Sequence, residues 1–89
     1  MDFGKHVLNS TTVDSDLIPG IPLIEIYGQQ RVLVENHRGI VGYEDQEILV
    51  RVRYGCICVT GQHLKLAKMC KGKLVITGNI SAVNLRWST

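Results

Sequence analysis

The chain has 89 residues, of which 45% are hydrophobic and 20% are charged. This length supports one small domain with one core and leaves no room for a second. No apolar run reaches the roughly 18 to 20 residues that a membrane-spanning helix needs, and the N-terminus lacks the basic-then-apolar order of a signal peptide. Three cysteines, two of them at strand spacing in Cys56-Ile57-Cys58, argue against a secreted disulfide framework. We therefore expect a protein of the reducing cytoplasm.

The formal net charge of +2 hides an asymmetry along the chain. All eight carboxylates lie at or before Glu47, and every charged residue after that point is basic. Such a separation concerns association rather than folding. It is compatible with an acidic protein partner, an anionic membrane surface, nucleic acid or a head-to-tail contact between copies.

The first 20 residues form a predicted mobile leader. They contain three aspartates, a Ser10-Thr11-Thr12 cluster and little apolar periodicity. Pro19-Gly20-Ile21-Pro22 follows as a hinge, because each proline lacks an N–H and biases the preceding residue toward extended geometry. The sequence therefore predicts a single β domain over residues 21–89.

From Ile21 onward a hairpin pattern recurs, in which two apolar positions at spacing two lead to a glycine and then to two more such positions. The glycines are Gly28, Gly61 and Gly78, and we expect each to lie in a turn with positive φ or in close packing. The pattern predicts an all-β fold: an antiparallel meander of about eight short strands forming a small sandwich or open barrel. Such a small sheet has reason to pair an edge with another copy, which predicts a homo-oligomer.

The clearest predicted strand covers residues 46–54. Its alternation places one set of side chains in the core and leaves Arg51 and Arg53 outside, beside Lys65 of a later strand; the core set is Ile48, Val50, Val52 and Tyr54. Later in the chain the apolar phase slips near Ala67, which predicts a bulge. Near the C-terminus Trp87 is the predicted terminal anchor of the core.

The sequence offers two weak patterns for chemistry. Glu35 and His37 stand two apart, so a carboxylate could orient an imidazole, but no nucleophile motif accompanies them. A zinc site from Cys56, Cys58, Cys70 and His63 would lack the usual Cys-x2-4-Cys turn. There is also no phosphate-binding glycine loop. We therefore assign no catalytic, metal or cofactor-binding residues and expect a protein that is not an enzyme and carries no cofactor.

One stretch is more specific than the rest of the chain. Val34-Glu35-Asn36-His37-Arg38-Gly39-Ile40, with its surrounding glycines and apolar positions, resembles the YabP/YqfC family of sporulation proteins, and the YqfC-like branch most closely. The residues that carry the resemblance are Gly28, Val34, Glu35, Asn36, His37, Arg38, Gly39, Ile40, Tyr54, Gly55, Gly61 and Leu64. The resemblance implies a structural or accessory role in endospore formation, in the mother-cell cytoplasm, without known catalytic activity or cofactor.

These observations lead to two main hypotheses. The first is a non-enzymatic protein of endospore formation that acts through protein–protein interaction with other sporulation proteins. The alternative is a basic β adaptor that binds an anionic membrane surface or nucleic acid; nucleic acid is the weaker option because exposed aromatic rings are scarce in the basic half. A hydrolase using Glu35 and His37 is a third class. In either main hypothesis the predicted interaction face consists of Arg51, Arg53, Lys65, Lys68, Lys71 and Lys73.

Overall fold

A computed structural model describes residues 20–88 of the chain. The predicted leader, apart from Gly20, lies outside these residues. The described part forms six strands: β1 (Leu23–Tyr27), β2 (Arg31–Glu35), β3 (His37–Tyr43), β4 (Glu47–Val52), β5 (Gly55–Cys70) and β6 (Lys73–Trp87). The all-β prediction is therefore confirmed.

All six strands belong to one antiparallel sheet with the order β1-β2-β6-β5-β4-β3. Strands β3 to β6 form a meander, as predicted. The β1–β2 hairpin departs from it, because β2 pairs with the first part of β6 instead of with β3. The two edge strands of the sheet are consequently β1 and β3.

The long strands β5 and β6 connect two halves of this sheet. Residues 55–60 of β5 pair with β4 on one side and with the end of β6 on the other. Residues 65–70 of β5 pair with the beginning of β6, which in turn pairs with β2. Inward side chains from both halves meet in one hydrophobic core, so the sheet folds over on itself between the two regions.

The fold-over point explains why the strand count of about eight was too high. Gly61 and Gly78 were expected in hairpin turns, but β5 and β6 each continue as one strand past these glycines. Both glycines occupy crowded positions in a distorted part of the ladder: a Cβ on Gly61 would lie 2.0 Å from the Asn79 carbonyl oxygen, and one on Gly78 would lie 2.6 Å from that of His63. The expectation of close packing is confirmed, whereas the expectation of two turns is wrong. Gly28 does lie in a turn, with φ of 57°.

Strands β5 and β6 bend together around Gly61 and Gly78, and each strand of this bend is hydrogen-bonded to the turn of a neighbouring hairpin. Leu64 N–H donates to the Asp45 carbonyl at 2.8 Å, and Ile80 N–H donates to the Gln29 carbonyl at 2.7 Å. These bonds satisfy backbone groups that the distorted ladder leaves unpaired. The predicted bulge near Ala67 is also present, as a register shift between Leu66 and Lys68.

The core follows the predicted alternation with two exceptions. Ile48, Val50 and Val52 are buried, as predicted. Tyr54 was expected beside them but is 58% exposed, because the strand ends at Val52 and Tyr54 adopts a positive φ of 72° in the following turn. Trp87 was expected to anchor the core but is 51% exposed at the end of β6. Within residues 20–88, no helix is long and apolar enough to cross a membrane.

Candidate functional site

The segment that carries the family resemblance forms the connection between β2 and β3. Val34 is fully buried in β2, and the chain then bends at Asn36, whose φ is 64°. Asn36 donates its backbone N–H to the Gly72 carbonyl and its side-chain Nδ2 to the Ile21 carbonyl at 2.8 Å. Asparagine suits this position because it tolerates the left-handed conformation and its short amide reaches nearby backbone. Asn36 thus ties together the start of the domain and the β5–β6 turn.

His37 uses both ring nitrogens on backbone groups. Its Nδ1 accepts a hydrogen bond from Gly39 N–H at 3.0 Å, and its Nε2 lies 3.1 Å from the Cys70 carbonyl oxygen. An Nδ1 that accepts carries no hydrogen, so Nε2 carries it and donates to Cys70. The predicted arrangement of Glu35 orienting His37 is not formed, because backbone groups occupy both nitrogens. In this geometry the imidazole holds the start of β3 against the end of β5.

The remaining residues of the motif have distinct positions. Arg38 is exposed, Gly39 adopts a φ of 116° and Ile40 packs against the core from the edge strand. A register shift between His37 and Ile40 places Arg38 and Gly39 together in a bulge opposite β4. In this motif Val34 is buried in the core and Arg38 is exposed. The hydrogen bonds of Asn36 and His37 form the connection that we call the β2–β3 clasp.

The other residues that carry the resemblance shape the sheet. A Cβ on Gly55 would lie 2.0 Å from the Arg86 carbonyl oxygen, so the β5–β6 ladder passes too close for any side chain there. Leu64 is buried next to the bend, and Tyr54 stands exposed in the β4–β5 turn with the Arg53 guanidinium 4.9 Å from its ring centre.

The three cysteines differ in environment. Cys58 is buried and its thiol donates a hydrogen bond to Glu47 Oε2 at 3.2 Å, whereas Cys56 is half-buried and Cys70 is exposed. Burial first, and then the hydrogen bond to Glu47, raises the pKa of the Cys58 thiol. That thiol accordingly stays protonated and unreactive near neutral pH. Across residues 20–88, no group of three or more ligating side chains is close enough to hold a metal, so His63 and the cysteines are not brought together.

The basic residues of the predicted interaction face divide into two groups. Arg51 lies opposite Cys56, which lies opposite Arg86, so the two arginines flank one thiol in a single row across β4, β5 and β6. Lys65, Lys68 and Lys73 lie in the other half of the sheet, on the outward side of β5 and β6. Arg53 and Lys71 lie in turns at either end of β5. The place of Arg86 beside Arg51 depends on the β5–β6 register, which the sequence pattern does not give.

An apolar groove lies where the start of β1 approaches the end of β6. Tyr54 and Trp87 contribute exposed rings to it, and the complete lining is Ile21, Pro22, Ile24, Arg53, Tyr54, Leu85 and Trp87. Sequence reasoning missed this groove because it assigned Tyr54 and Trp87 to the core. The end of β4 at Val52 was the usable signal, because a strand that ends there leaves Tyr54 in the following turn and outside the core.

Comparison with known proteins identifies the family. The model of the YabP family matches residues 22–88, which is nearly the entire described domain. The chain belongs to the YabP family. A relative from Bacillus subtilis (strain 168), named uncharacterized protein YqfC, is 21% identical over 71 residues, which are 80% of this chain and 76% of the relative. No solved structure matches the chain.

The family match covers every strand of the sheet and the whole motif. The predicted YabP/YqfC resemblance is therefore confirmed. All motif residues, from Gly28 to Leu64, fall inside the matched range. In this YabP family member they build the β2–β3 clasp, the bend and the close contacts of the long strands.

Proposed function

We propose that this protein is a non-enzymatic structural or accessory component of endospore formation that acts through protein–protein interaction. The observation that carries the proposal is membership of the YabP family over residues 22–88, which suggests a role related to sporulation. The B. subtilis relative YqfC supports the same assignment.

The arrangement of the reactive side chains favours a non-enzymatic role. Both nitrogens of His37 are bonded to backbone groups, so the imidazole has no free position for a substrate proton. The Cys58 thiol is buried and bonded to Glu47. The side chains of His37 and Cys58 thus hold the fold together.

The exposed surface favours interaction. Large apolar side chains are exposed on both edge strands and in the groove, and exposed cations are grouped on both halves of the sheet. The same cations support the second candidate, a basic adaptor for an anionic membrane or nucleic acid. Each lysine or arginine near an anionic leaflet adds about 1 kcal/mol of attraction. A protein partner remains our first choice because it can use both the cations and the apolar side chains.

The role is tested in the bacterium that encodes the protein. Deletion of the gene should lower the count of heat-resistant spores without slowing vegetative growth, and the wild-type gene should restore the count. A matched complementation uses His37→Ala and the neighbouring Arg38→Ala, with protein levels measured by immunoblot. Unchanged spore counts together with expression confined to vegetative growth would refute the sporulation role.

A second experiment separates the two candidates. Protein purified through a tag from sporulating cells should retain a protein partner that is absent from vegetative cells and dissociates at high salt. Purified protein should not bind phosphatidylglycerol vesicles or random duplex DNA at physiological salt. Binding to either of these, without a sporulation-specific protein, would favour the adaptor.

A further inference from the structure

The two edges of the sheet differ in how they are protected. The outer edge of β3 is interrupted by two register shifts and is linked to β5 by side chains: His37 contacts the Cys70 carbonyl, and the Tyr43 hydroxyl accepts from Leu66 N–H at 3.1 Å. Bulges and side-chain cover are ways in which proteins block edge pairing. Within residues 20–88, no strand pairs with the outer edge of β1.

The β1 edge carries weaker protection, which consists of one charge within the strand and a proline just before it. Its five residues include one charge, Glu25, and no lysine, and Pro22 stands just before its first residue. Ile26 lies on the inward side of β1, opposite the fully buried Val32, yet it is 55% exposed. An inward apolar residue that remains exposed shows that the hydrophobic face extends beyond the covered core at this edge.

We propose that β1 is the self-association surface of this protein, pairing antiparallel with β1 of a second copy. This inference rests on the fold and not on the proposed role in sporulation. When two copies pair through β1 about a two-fold axis, the β1 edge of each copy is covered by the other, and no β1 edge is left for a third copy. A different protein as partner would leave an apolar edge open in every copy that had not yet met it, which favours aggregation.

The apolar area beside the edge is sufficient for such a dimer. Six side chains near β1 and the groove are each about half exposed: Ile21, Leu23, Ile26, Tyr27, Leu85 and Trp87. An aromatic side chain buries about 150–250 Å² and a leucine or isoleucine less, so the exposed halves of all six amount to at most roughly 500 Å² per copy. Two copies would cover up to about 1,000 Å² of side chain, which is the size that a specific interface has to reach, before the paired backbone is included.

Charge restricts the register of the pair. Centring the two-fold axis on Glu25 would place two carboxylates directly opposite each other, which is destabilising. Centring it on Ile24 or Ile26 avoids this contact and places isoleucine against isoleucine. We therefore expect the axis at one of these two isoleucines, with the groove around Trp87 at the margin of the interface.

The test compares the same change on the two edges of the sheet. Ile26→Lys introduces a charge on the inward side of β1, and Val41→Lys introduces a charge at a 62% exposed position in the bulge of β3. Light scattering of the full chain at micromolar concentration should report a dimer for wild type and for Val41→Lys, and a monomer for Ile26→Lys. Circular dichroism confirms that each variant is folded. Amide exchange of residues 23–27 should slow by tenfold or more as wild-type concentration rises, whereas residues 37–43 should not change.

The sole tryptophan gives an independent signal. Because Trp87 lines the groove, its emission should shift to shorter wavelength as wild-type protein is concentrated, and should stay constant in Ile26→Lys. Wild type that is monomeric, or a dimer that Val41→Lys disrupts while Ile26→Lys does not, would overturn the proposal. So would a dimer that forms only after residues 1–19 are removed, because that result would assign the edge to the chain's own N-terminal segment. Amide exchange alone decides the question if Ile26→Lys does not fold.

Discussion

His37 and Cys70 join two strands that are not neighbours in the sheet. The ring Nε2 of His37 at the start of β3 lies 3.1 Å from the carbonyl oxygen of Cys70 at the end of β5, while Nδ1 accepts from Gly39 N–H. One side chain therefore links an edge strand to the opposite half of the folded sheet and fixes the bulge that follows it. These two hydrogen bonds of His37 explain why a histidine suits this position of the family motif.

We expect His37→Ala to lower the free energy of unfolding by about 1–2 kcal/mol, since it removes two neutral hydrogen bonds worth about 0.5–1.5 kcal/mol each. His37→Gln keeps a donor near the Nε2 position and His37→Asn keeps an acceptor near Nδ1, so each should recover part of the loss. Arg38→Ala, at the exposed neighbouring position, is the control and should stay within about 0.5 kcal/mol of wild type. Urea unfolding measures all four. Equal stability of His37→Ala and Arg38→Ala would show that the clasp contributes nothing.

The sequence predicted what depends on local alternation and missed what depends on long-range register. Ile48, Val50 and Val52 followed the period of two into the core. Gly61 and Gly78 looked like turns because glycine is typical both of tight turns and of close backbone approaches. Only the register of β5 against β6 distinguishes the two situations, since each glycine is crowded by backbone of the partner strand.

The candidate surfaces were even less accessible to sequence reasoning. The row formed by Arg51, Cys56 and Arg86 joins residues that are up to 35 positions apart, and it requires two correct strand registers. The groove depends on where β1 and β6 approach each other across the folded sheet. The family motif was recognisable because its residues are contiguous, but the partner of His37, the Cys70 carbonyl, is a backbone atom that no side-chain pattern can predict.

Two glycines should respond differently to alanine. A Cβ at Gly61 would meet a backbone oxygen at 2.0 Å, so Gly61→Ala must displace the ladder and should cost about 2 kcal/mol or more. Gly28→Ala meets no atom within 4 Å and bears only the cost of positive φ, about 1 kcal/mol. Gly28→Asn should recover much of that cost because asparagine tolerates this conformation. Thermal unfolding gives the order, and a smaller effect at Gly61 than at Gly28 would contradict the close approach of β5 and β6.

The buried thiol predicts a pH dependence of stability. Burial and the Glu47 hydrogen bond raise the pKa of Cys58 in the folded protein. Below the pKa of the unfolded thiol, about 8.5, Cys58 is protonated in both the folded and the unfolded state, and its contribution to the free energy of unfolding is fully present. Above that pH the unfolded state ionises first, so the contribution of Cys58 to stability is lost as pH rises through the folded pKa. The difference in unfolding free energy between wild type and Cys58→Ala, measured by urea unfolding, should therefore change above about pH 8.5, with wild type losing stability faster.

The two groups of cations should contribute differently to partner binding. Arg51 and Arg86 lie in one row on the outward side of one half of the sheet, and Lys65 and Lys68 lie on that of the other half. We expect Arg51→Glu with Arg86→Glu to abolish binding of the protein partner from sporulating cells while the thermal midpoint hardly moves, because exposed charges contribute little to stability. Lys65→Glu with Lys68→Glu is the matched control, with the same number of reversed charges.

The two double variants separate a specific contact from general attraction. An acidic protein that docks on the arginine row should respond to the first pair and much less to the second, and its affinity should fall steeply as salt is raised above 0.15 M, where the Debye length is about 8 Å. Attraction to an anionic surface would instead respond equally to both pairs, since each removes the same charge. Equal loss of partner binding in the two variants would therefore exclude the arginine row as a specific docking site, and unchanged binding in both would show that neither group of cations contacts the partner.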